Sequence, residues 1–421
     1  MKSETTLRNT SKTLLLALVL FLFAGSLQTV IFAEDWPIYR GPGHDGFTSE
    51  VGWSANWDGN GPKQLWKKSI GIGFSSVVVS KGRVYAMGNN GDRKDGKDTV
   101  FCFNADTGNE IWSYTYACPL EPKYYEGGTL ATPTVDGDVV YTISKMGDLF
   151  CFNAATGKII WQKQVNKDFG CALPTWHFAG SPMPVDDLLI FNLGDAGLAL
   201  NKKNGQLVWQ NGKDACGYAT PVPYVVDGQK CVVIFGKDTV VGVRFSDGKI
   251  LWKHEHKTKH DVNASDPILS GDEVFVSSGY GRGCGKFKVA GSQTTQVWAN
   301  EDMRNHMNCS MLWKGHIYGI DEAGGGQLKC LSFADGSVKW SEKSTGKGAL
   351  MMSSDGRMII MSDKSELIIA KADPQEFKLI ARSQILPRAK CWTTPVLANG
   401  KIYARNNKPG DLVCVDVSGK N

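Results

Sequence analysis

The sequence predicts an all-β fold, an eight-bladed β-propeller of four-stranded antiparallel blades, and two repeated features support this fold class. A tryptophan recurs about every 46 residues, and in five repeats it ends a Gly-x-x-x-Trp run. A period of this length is typical of one supersecondary unit copied many times. The 421 residues also include 48 glycines and show no sustained helical periodicity, as expected for short strands joined by tight turns.

Residues 1–33 have the layout of a secretory signal peptide. Scattered cationic residues precede an apolar run over residues 14–23, and smaller, polar residues follow up to Ala33, where we expect cleavage. An uncleaved signal anchor is the alternative, because apolar residues return at positions 30–32. No cysteine follows the run to accept a lipid. We therefore expect a protein of the periplasm or cell envelope, or a secreted one, with no transmembrane segment after cleavage.

The rest of the chain divides into a predicted extended leader, residues 34–63, and the propeller, residues 64–421. In each repeat a small polar residue opens the innermost strand, and three further strands follow at about eleven residues per strand and turn. This spacing fits an antiparallel meander. The eight openings lie near Ser76, Thr132, Ser181, Thr220, Asp266, Cys309, Leu350 and Thr394.

The two ends of the repeat region predict that the ring closes. The last unit has no fourth strand after residues 412–417, whereas residues 64–70 form a Trp-bearing fourth strand with no unit before it. We expect this N-terminal strand to complete the last blade, because pairing there would leave no long open sheet edge.

The repeated tryptophans are interpreted as packing groups between adjacent blades. They lie on the outermost strand, far from the central channel, which favours packing over ligand stacking. Two units depart from the pattern: Thr294 replaces the glycine before one tryptophan, and Ile380 stands where the seventh unit would have its own. The seven tryptophans are Trp66, Trp112, Trp161, Trp209, Trp252, Trp298 and Trp340.

Eleven cysteines in an exported protein raise the question of disulfides. Some occupy a position six residues before the turn glycine, where the residues predict a slot that accepts only small side chains; this slot holds Cys102, Cys151, Ala199, Gly242 and Cys330. Cysteine there is interpreted as a small buried hydrophobe, and Cys414 is similar. One or two disulfides are left open among the cysteines that link blades, namely Cys118, Cys171, Cys216, Cys309 and Cys391.

These repeats resemble the PQQ-like repeat family, whose blades carry an Ala-x-Asp-x-x-Thr-Gly-x-x-x-Trp signature. The nearest copies are residues 104–112 and 153–161, and the resemblance covers residues 64–417. Residues 35–41 look like the leader of a bacterial exported subgroup. The resemblance implies either a quinoprotein alcohol dehydrogenase, with pyrroloquinoline quinone (PQQ) and calcium over the channel, or a scaffold like BamB. The sequence has neither the adjacent cysteine pair of the first class nor the lipid-accepting cysteine of the second.

Candidate binding residues lie in the segments that lead into the innermost strands, which converge at the mouth of a propeller channel. They are His177, His260, Asp266, His306, Cys309 and Trp392. We hypothesise that His260, Asp266, His306 and Cys309 form a polar or metal-binding cluster, since imidazole, carboxylate and thiolate can share one ion. The alternative is that these loops are simply polar and solvated.

Composition and charge limit the function. The net charge is +5, with no basic stripe, so nucleic acid is not an expected partner. We predict a monomeric, non-enzymatic binding or scaffold module whose partner is an envelope protein, or a small molecule or glycan at the channel mouth. A PQQ-dependent dehydrogenase, with PQQ and calcium as cofactors, is the alternative. Carbohydrate binding through Trp176 and Trp392 is a third hypothesis.

Overall fold

The computed structural model describes residues 34–57, 59–226 and 228–419, so the predicted signal peptide lies outside the described residues. Within those ranges the strands form eight sheets of four antiparallel strands, and one sheet gains a short parallel fifth strand. This confirms the predicted eight-bladed propeller. No helix in the described ranges has both the length and the apolar character needed to span a bilayer.

Two strands precede the first blade, β1 (Phe47–Thr48) and β2 (Lys63–Ser69). The strands of the first four blades, innermost first, are β3 (Val78–Ser80), β4 (Arg83–Asn89), β5 (Lys97–Asn104) and β6 (Glu110–Ala117); β7 (Thr134–Asp136), β8 (Val139–Ile143), β9 (Asp148–Asn153) and β10 (Ile159–Gln164); β11 (Met183–Val185), β12 (Leu188–Phe191), β13 (Leu198–Asn201) and β14 (Leu207–Gln210); and β15 (Val222–Val226), β16 (Gln229–Phe235), β17 (Thr239–Arg244) and β18 (Ile250–Glu255).

The remaining blades continue in the same order. Their strands are β19 (Ile268–Ser270), β20 (Glu273–Ser278), β21 (Gly283–Ala290) and β22 (Gln293–Asn300); β23 (Met311–Trp313), β24 (His316–Asp321), β25 (Gln327–Ser332) and β26 (Val338–Glu342); β27 (Ala349–Ser353), β28 (Arg357–Met361), β29 (Glu366–Lys371) and β30 (Lys378–Gln384); and β31 (Val396–Ala398), β32 (Lys401–Arg405) and β33 (Asp411–Asp416). Short helical turns occur at Val165–Phe169, Lys259–Asp261 and Ala323–Gly325.

Strand β2 closes the ring. It pairs antiparallel with β33, from Lys63 opposite Asp416 to Ser69 opposite Asp411, so the eighth blade has the order β2-β33-β32-β31. The prediction that the N-terminal strand completes the last blade is confirmed. Pairing gives the backbone groups of both edges their hydrogen bonds, which an open edge would leave to solvent.

Six of the seven repeated tryptophans form a hydrogen bond with the next blade. The indole Nε1 of Trp66 in blade eight donates a hydrogen bond of 3.0 Å to the carbonyl of Ala105 in blade one. The turn glycine of blade one, Gly108, lies against the same ring, because a Cβ there would be 2.7 Å from it. The same bond to a carbonyl of the next blade is made by Trp112, Trp161, Trp209, Trp298 and Trp340.

Blade five follows a variant of this arrangement. Thr294, which replaces the repeated glycine, lies within strand β22. Trp252 of the preceding blade donates instead to the hydroxyl of Tyr224 in its own blade, at 2.7 Å. The slot opposite Trp298 holds Lys286, which is buried and paired with Glu273 at 3.0 Å. The prediction that this slot accepts only small side chains is therefore wrong here, because the ammonium has its own counter-ion.

Blade seven corrects the sequence alignment. Ala381, not Ile380, occupies the tryptophan position, since it pairs with Ile369 immediately after the register shift, as Trp112 pairs with Cys102 in blade one. Ile380 falls on the shift and is exposed. The side-chain sizes are the reverse of those in the other blades. The large Ile369 occupies the slot, and the small Ala381 lies opposite it where the tryptophan would be. A tryptophan in blade seven would cover the turn between the two outer strands of blade eight. Blade eight has no such turn, because its outer strands β33 and β2 come from distant parts of the chain.

All eleven cysteines are buried and free. Cys102, Cys151 and Cys330 each lie opposite a blade tryptophan, and Cys414 lies opposite Trp66. Their interpretation as small buried hydrophobes is confirmed. The disulfides left open among the linking cysteines are not formed.

Residues 34–54 run through the central channel along the innermost strands. Trp36 pairs with Val79 in β3, and Phe47 of β1 pairs in parallel with Met352 in β27. Glu50 is fully buried and accepts hydrogen bonds from the backbone N–H groups of Asn399 and Gly400 at the β31–β32 turn. The segment thus fills the channel, which leaves a blind opening on the face where the blades connect.

Candidate functional site

A cavity of about 290 Å³ lies at the mouth of the channel, on the face that carries the connections between blades. Its lining is rich in aromatic side chains, which come from the channel segment and from connections in several blades. We call this cavity the aromatic pocket, and its aromatic residues are Tyr39, Phe74, Tyr124, Tyr125, Trp176, Tyr218, Tyr280 and Trp392. A largely apolar concave site with a few polar groups is the usual form of a small-molecule site.

The floor of the aromatic pocket is a ladder of hydrogen bonds between blades. In each rung, the backbone N–H of one blade's opening residue donates to the side chain of the equivalent residue in the next blade. The rungs are Ser76 to Thr132, Thr132 to Ser181, Ser181 to Thr220, Thr220 to Asp266 and Asp266 to Cys309, with lengths of 2.8–3.2 Å. The position therefore requires a side chain that accepts, which explains why Ser, Thr, Asp and Cys alternate there.

Asp266 is the buried ionisable group of the floor, with 5% of its surface exposed. Burial raises the pKa of its carboxyl to about 6, although Arg40 and the N–H of Thr220 lower it in part. Beneath it, the hydroxyl of Tyr39 lies 3.7 Å from the Sγ of Cys309. Burial also raises the pKa of the Cys309 thiol, so this cysteine stays protonated and is not an activated nucleophile.

The rim of the pocket holds a histidine–carboxylate pair. Nδ1 of His306 lies 3.1 Å from Oε2 of Glu322, and the backbone N–H of Tyr280 donates to the same carboxylate. Burial raises the pKa of Glu322, but the hydrogen bonds with His306 and Tyr280 and the nearby positive charges together outweigh burial, so the pKa lies below its usual range. The ring of Tyr280 contacts both His306 and His260, with centroids 4.8 and 5.2 Å apart.

The six predicted site residues are divided between the pocket and its surroundings. Asp266, His306 and Trp392 line the aromatic pocket. Cys309 belongs to the floor but is not among the lining residues, and the ring of His260 contacts Tyr280. His177 is buried with its Nδ1 3.2 Å from the hydroxyl of Tyr125, and burial lowers its pKa to about 4, so it is a neutral partner of a pocket aromatic.

The hypothesised metal cluster of His260, Asp266, His306 and Cys309 is not formed in this structure. In the ranges 34–57, 59–226 and 228–419, no group of three or more His, Cys, Asp or Glu side chains is arranged to hold an ion. The reason is that Asp266 and Cys309 are bonded to each other in the floor, whereas the two histidines pack on Tyr280 at the rim.

Several pocket residues were not predicted. Tyr39 comes from the channel segment, whose position depends on pairing with β3 and β27, and repeat alignment contains no signal for it. Phe74, Tyr125 and Tyr218 lie in connections that lead into innermost strands, whereas Tyr280 lies in the turn between β20 and β21. A search for aromatic residues in those connections, instead of histidines, would have found the first three.

The lining does not fit PQQ with calcium. PQQ is a tricarboxylate, yet no lysine or arginine is among the described residues that line the pocket. Calcium requires several oxygen ligands, usually with more than one carboxylate. Asp266 is the carboxylate in this lining, and the nearby Glu322 is already held by His306 and Tyr280.

Comparisons with known proteins agree with the fold. A sequence profile of the family described as outer membrane protein assembly factor BamB matches residues 96–342. A search of curated proteins finds no match. The chain is similar to the crystal structure of BamB from Moraxella catarrhalis, with a TM-score of 0.60 and 14% identity, over 85% of this chain and 98% of that one.

Quinohemoprotein alcohol dehydrogenases have the same architecture. The enzyme from Comamonas testosteroni superimposes with a TM-score of 0.66 and 12% identity, over 92% of this chain and 81% of that one. The enzyme ADHIIG from Pseudomonas putida HK5 gives a TM-score of 0.64 and 10% identity over the same shares. At such low identity these likenesses establish the propeller fold alone.

Proposed function

Since the chain belongs to the family described as outer membrane protein assembly factor BamB, we propose that it is an exported, non-enzymatic binding module of the periplasm or cell envelope. Its site is the aromatic pocket, and its ligand is a small organic molecule. The leader-like residues 35–41 and the apolar run before them support export.

The observation that carries this proposal is the blind, aromatic-lined cavity. Eight aromatic side chains line a volume of about 290 Å³, and the channel segment contributes Tyr39 to them. Large amphipathic rings provide contact area at little cost in side-chain entropy. The buried floor groups are engaged with one another, and the one cysteine among them has a raised pKa. These features favour binding over catalysis.

An envelope protein is a second proposed partner. The family is described by a role in assembly of outer membrane proteins, and propellers commonly present their faces to other chains. A ligand in the pocket and a protein partner could bind together, because the ligand would occupy the mouth and the partner would contact the surrounding loops of the same face.

The test uses the purified full chain in a thermal-shift and calorimetric screen. The panel contains quaternary ammonium compounds, methyl glycosides, and PQQ with calcium. We expect a saturable ligand from the first two groups, and loss of its binding in Trp392→Ala. The matched control is Trp313→Ala, a tryptophan of similar partial burial that packs on Phe47 outside the pocket.

Three results would contradict the proposal. The first is the absence of any saturable ligand in the panel, and the second is equal binding by both tryptophan variants. The third is dye-linked alcohol oxidation after addition of PQQ and calcium, which would establish the dehydrogenase alternative.

A further inference from the structure

The wall of the aromatic pocket is a continuous series of ring contacts. Trp392 packs on Phe74 with centroids 6.0 Å apart, Phe74 on Tyr125 at 5.4 Å, and Tyr125 on Trp176 at 6.4 Å. Tyr124 extends the wall, 6.0 Å from Trp176. The faces of such rings carry partial negative charge, so a wall of this kind attracts cations.

The protein shows this attraction at the edge of the wall. The ammonium of Lys390 lies 4.5 Å from the ring centroid of Trp392 and pairs with Glu126 at 2.7 Å. Lys390 itself is not a lining residue, and the described lining includes no lysine or arginine. Apart from Trp392, whose ring is contacted by Lys390, the rings that line the cavity have no lysine or arginine of the described lining to contact.

The floor adds a buried carboxylate. Among the described residues no lysine, arginine or histidine forms an ion pair with Asp266 within 4.0 Å, although its exposure is only 5%. Arg40 lies beneath but donates its Nη2 to the carbonyls of Asp45 and Ser310. A buried carboxylate without a bound cation is costly, and a cation in the pocket would offset that cost.

From the wall and the floor together we infer that the aromatic pocket binds an alkylated ammonium cation. The inference rests on the proposed function and names its ligand class. Leu130, Val262 and Met307 supply apolar lining, which suits methyl or alkyl groups better than a hydrated primary ammonium. A saccharide would need partners for many hydroxyls, whereas the floor hydroxyls already accept the ladder bonds.

The experiment compares choline with 3,3-dimethylbutan-1-ol, which has the same shape but carbon in place of the charged nitrogen. Both are titrated into the purified full chain by calorimetry, together with a methyl glycoside. We expect choline to bind at least about tenfold more tightly than the neutral compound, because only the cation gains from the ring faces and from Asp266.

Two variants separate charge from shape. Asp266→Asn keeps an oxygen that accepts from Thr220 but removes the charge, so it should weaken choline about tenfold and leave the neutral compound unchanged. Trp392→Ala should weaken both compounds. Melting curves of both variants verify that they are folded.

The outcomes distinguish this inference from the proposed function. Equal or tighter binding of the neutral compound, or binding of the glycoside without choline, would overturn the ammonium assignment and leave a small-molecule site in place. If choline, the neutral compound, the glycoside and the rest of the panel all fail to bind, the proposed function fails with it.

Discussion

Gly108 of blade one lies directly beneath the indole ring of Trp66 in blade eight, with no space for a Cβ atom between them. The same relationship joins Gly157 to Trp112, Gly205 to Trp161 and Gly248 to Trp209. The Gly-x-x-x-Trp repeat is thus explained by two separate contacts. The glycine fits under the tryptophan of the preceding blade, and the tryptophan at the end of the same run covers the glycine of the next.

Substitution of Gly108 by alanine tests this contact. Its φ is +67°, and a Cβ would lie 2.7 Å from the Trp66 ring. We expect a loss of about 2–4 kcal/mol in unfolding free energy, from both backbone strain and overpacking. Gly82→Ala is the matched control, because Gly82 has a φ of +70° but no atom within 4 Å of the added carbon. It should lose about 1 kcal/mol. Equal losses in urea unfolding would argue against the packing role.

The anchoring of the channel segment depends on Glu50. Its buried carboxylate accepts backbone N–H groups of Asn399 and Gly400, and Glu50→Gln would turn an amide NH₂ toward these donors. We expect the segment to loosen and trypsin to cleave after Arg40, which is only 4% exposed in the native fold. Glu110→Gln, on an exposed outer strand, is the control. Unchanged protection of Arg40 in Glu50→Gln would contradict this role.

Acid sensitivity follows from three histidines, of which His177 and His256 are buried and His44 is partly buried. Burial lowers the pKa of His44 to about 4, of His177 to about 4 and of His256 to about 3. Because the unfolded value is 6.5, the folded state disfavours protonation, so stability is full above pH 6.5 and falls as the pH drops toward 4. Each proton contributes a slope of about 1.4 kcal/mol per pH unit. His256→Gln, which can keep the contact with Ser278, should reduce the slope measured by urea unfolding between pH 7 and pH 4.5.

Asp266 should have the opposite effect on the pH dependence of stability. Its pKa is raised from 3.8 to about 6, so its contribution to stability is present below pH 4 and is lost as the pH rises through 6. Asp266→Asn is therefore expected to be more stable than the unmodified chain at pH 7, by about 1–3 kcal/mol, and similar to it at pH 4. A variant that is less stable at pH 7 would show that the charge is compensated by Arg40 and its neighbours.

The repeat was readable from the sequence because its tryptophans and glycines mark contacts between consecutive blades. Blade seven was misread at Ile380 because the register shift moves the equivalent position to Ala381, and a one-residue shift in a strand has no signature in composition. Lys286 was missed in the small-residue slot because its counter-ion Glu273 lies on the neighbouring strand.

The site was predicted only in part. The innermost position of Asp266 and the mouth position of His306 and Trp392 followed from the blade order. Of the aromatic lining, the sequence pointed to Trp176 and Trp392 alone, since Tyr39 enters through the channel segment and Tyr218 meets Trp176 only when blades three and four are placed side by side. His260 and His306 were hypothesised as metal ligands, yet His306 forms a hydrogen bond with Glu322 and both rings pack on Tyr280.

The most direct test of the binding account is ¹⁹F NMR of the full chain labelled with 5-fluorotryptophan, during titration with the tightest ligand of the panel. Trp176→Phe and Trp392→Phe assign the two pocket resonances. We predict that these two shift and saturate together with the calorimetric isotherm, whereas those of the blade tryptophans, such as Trp66 and Trp112, stay in place. Shifts confined to the blade tryptophans, or no shift at saturation, would contradict binding in the aromatic pocket.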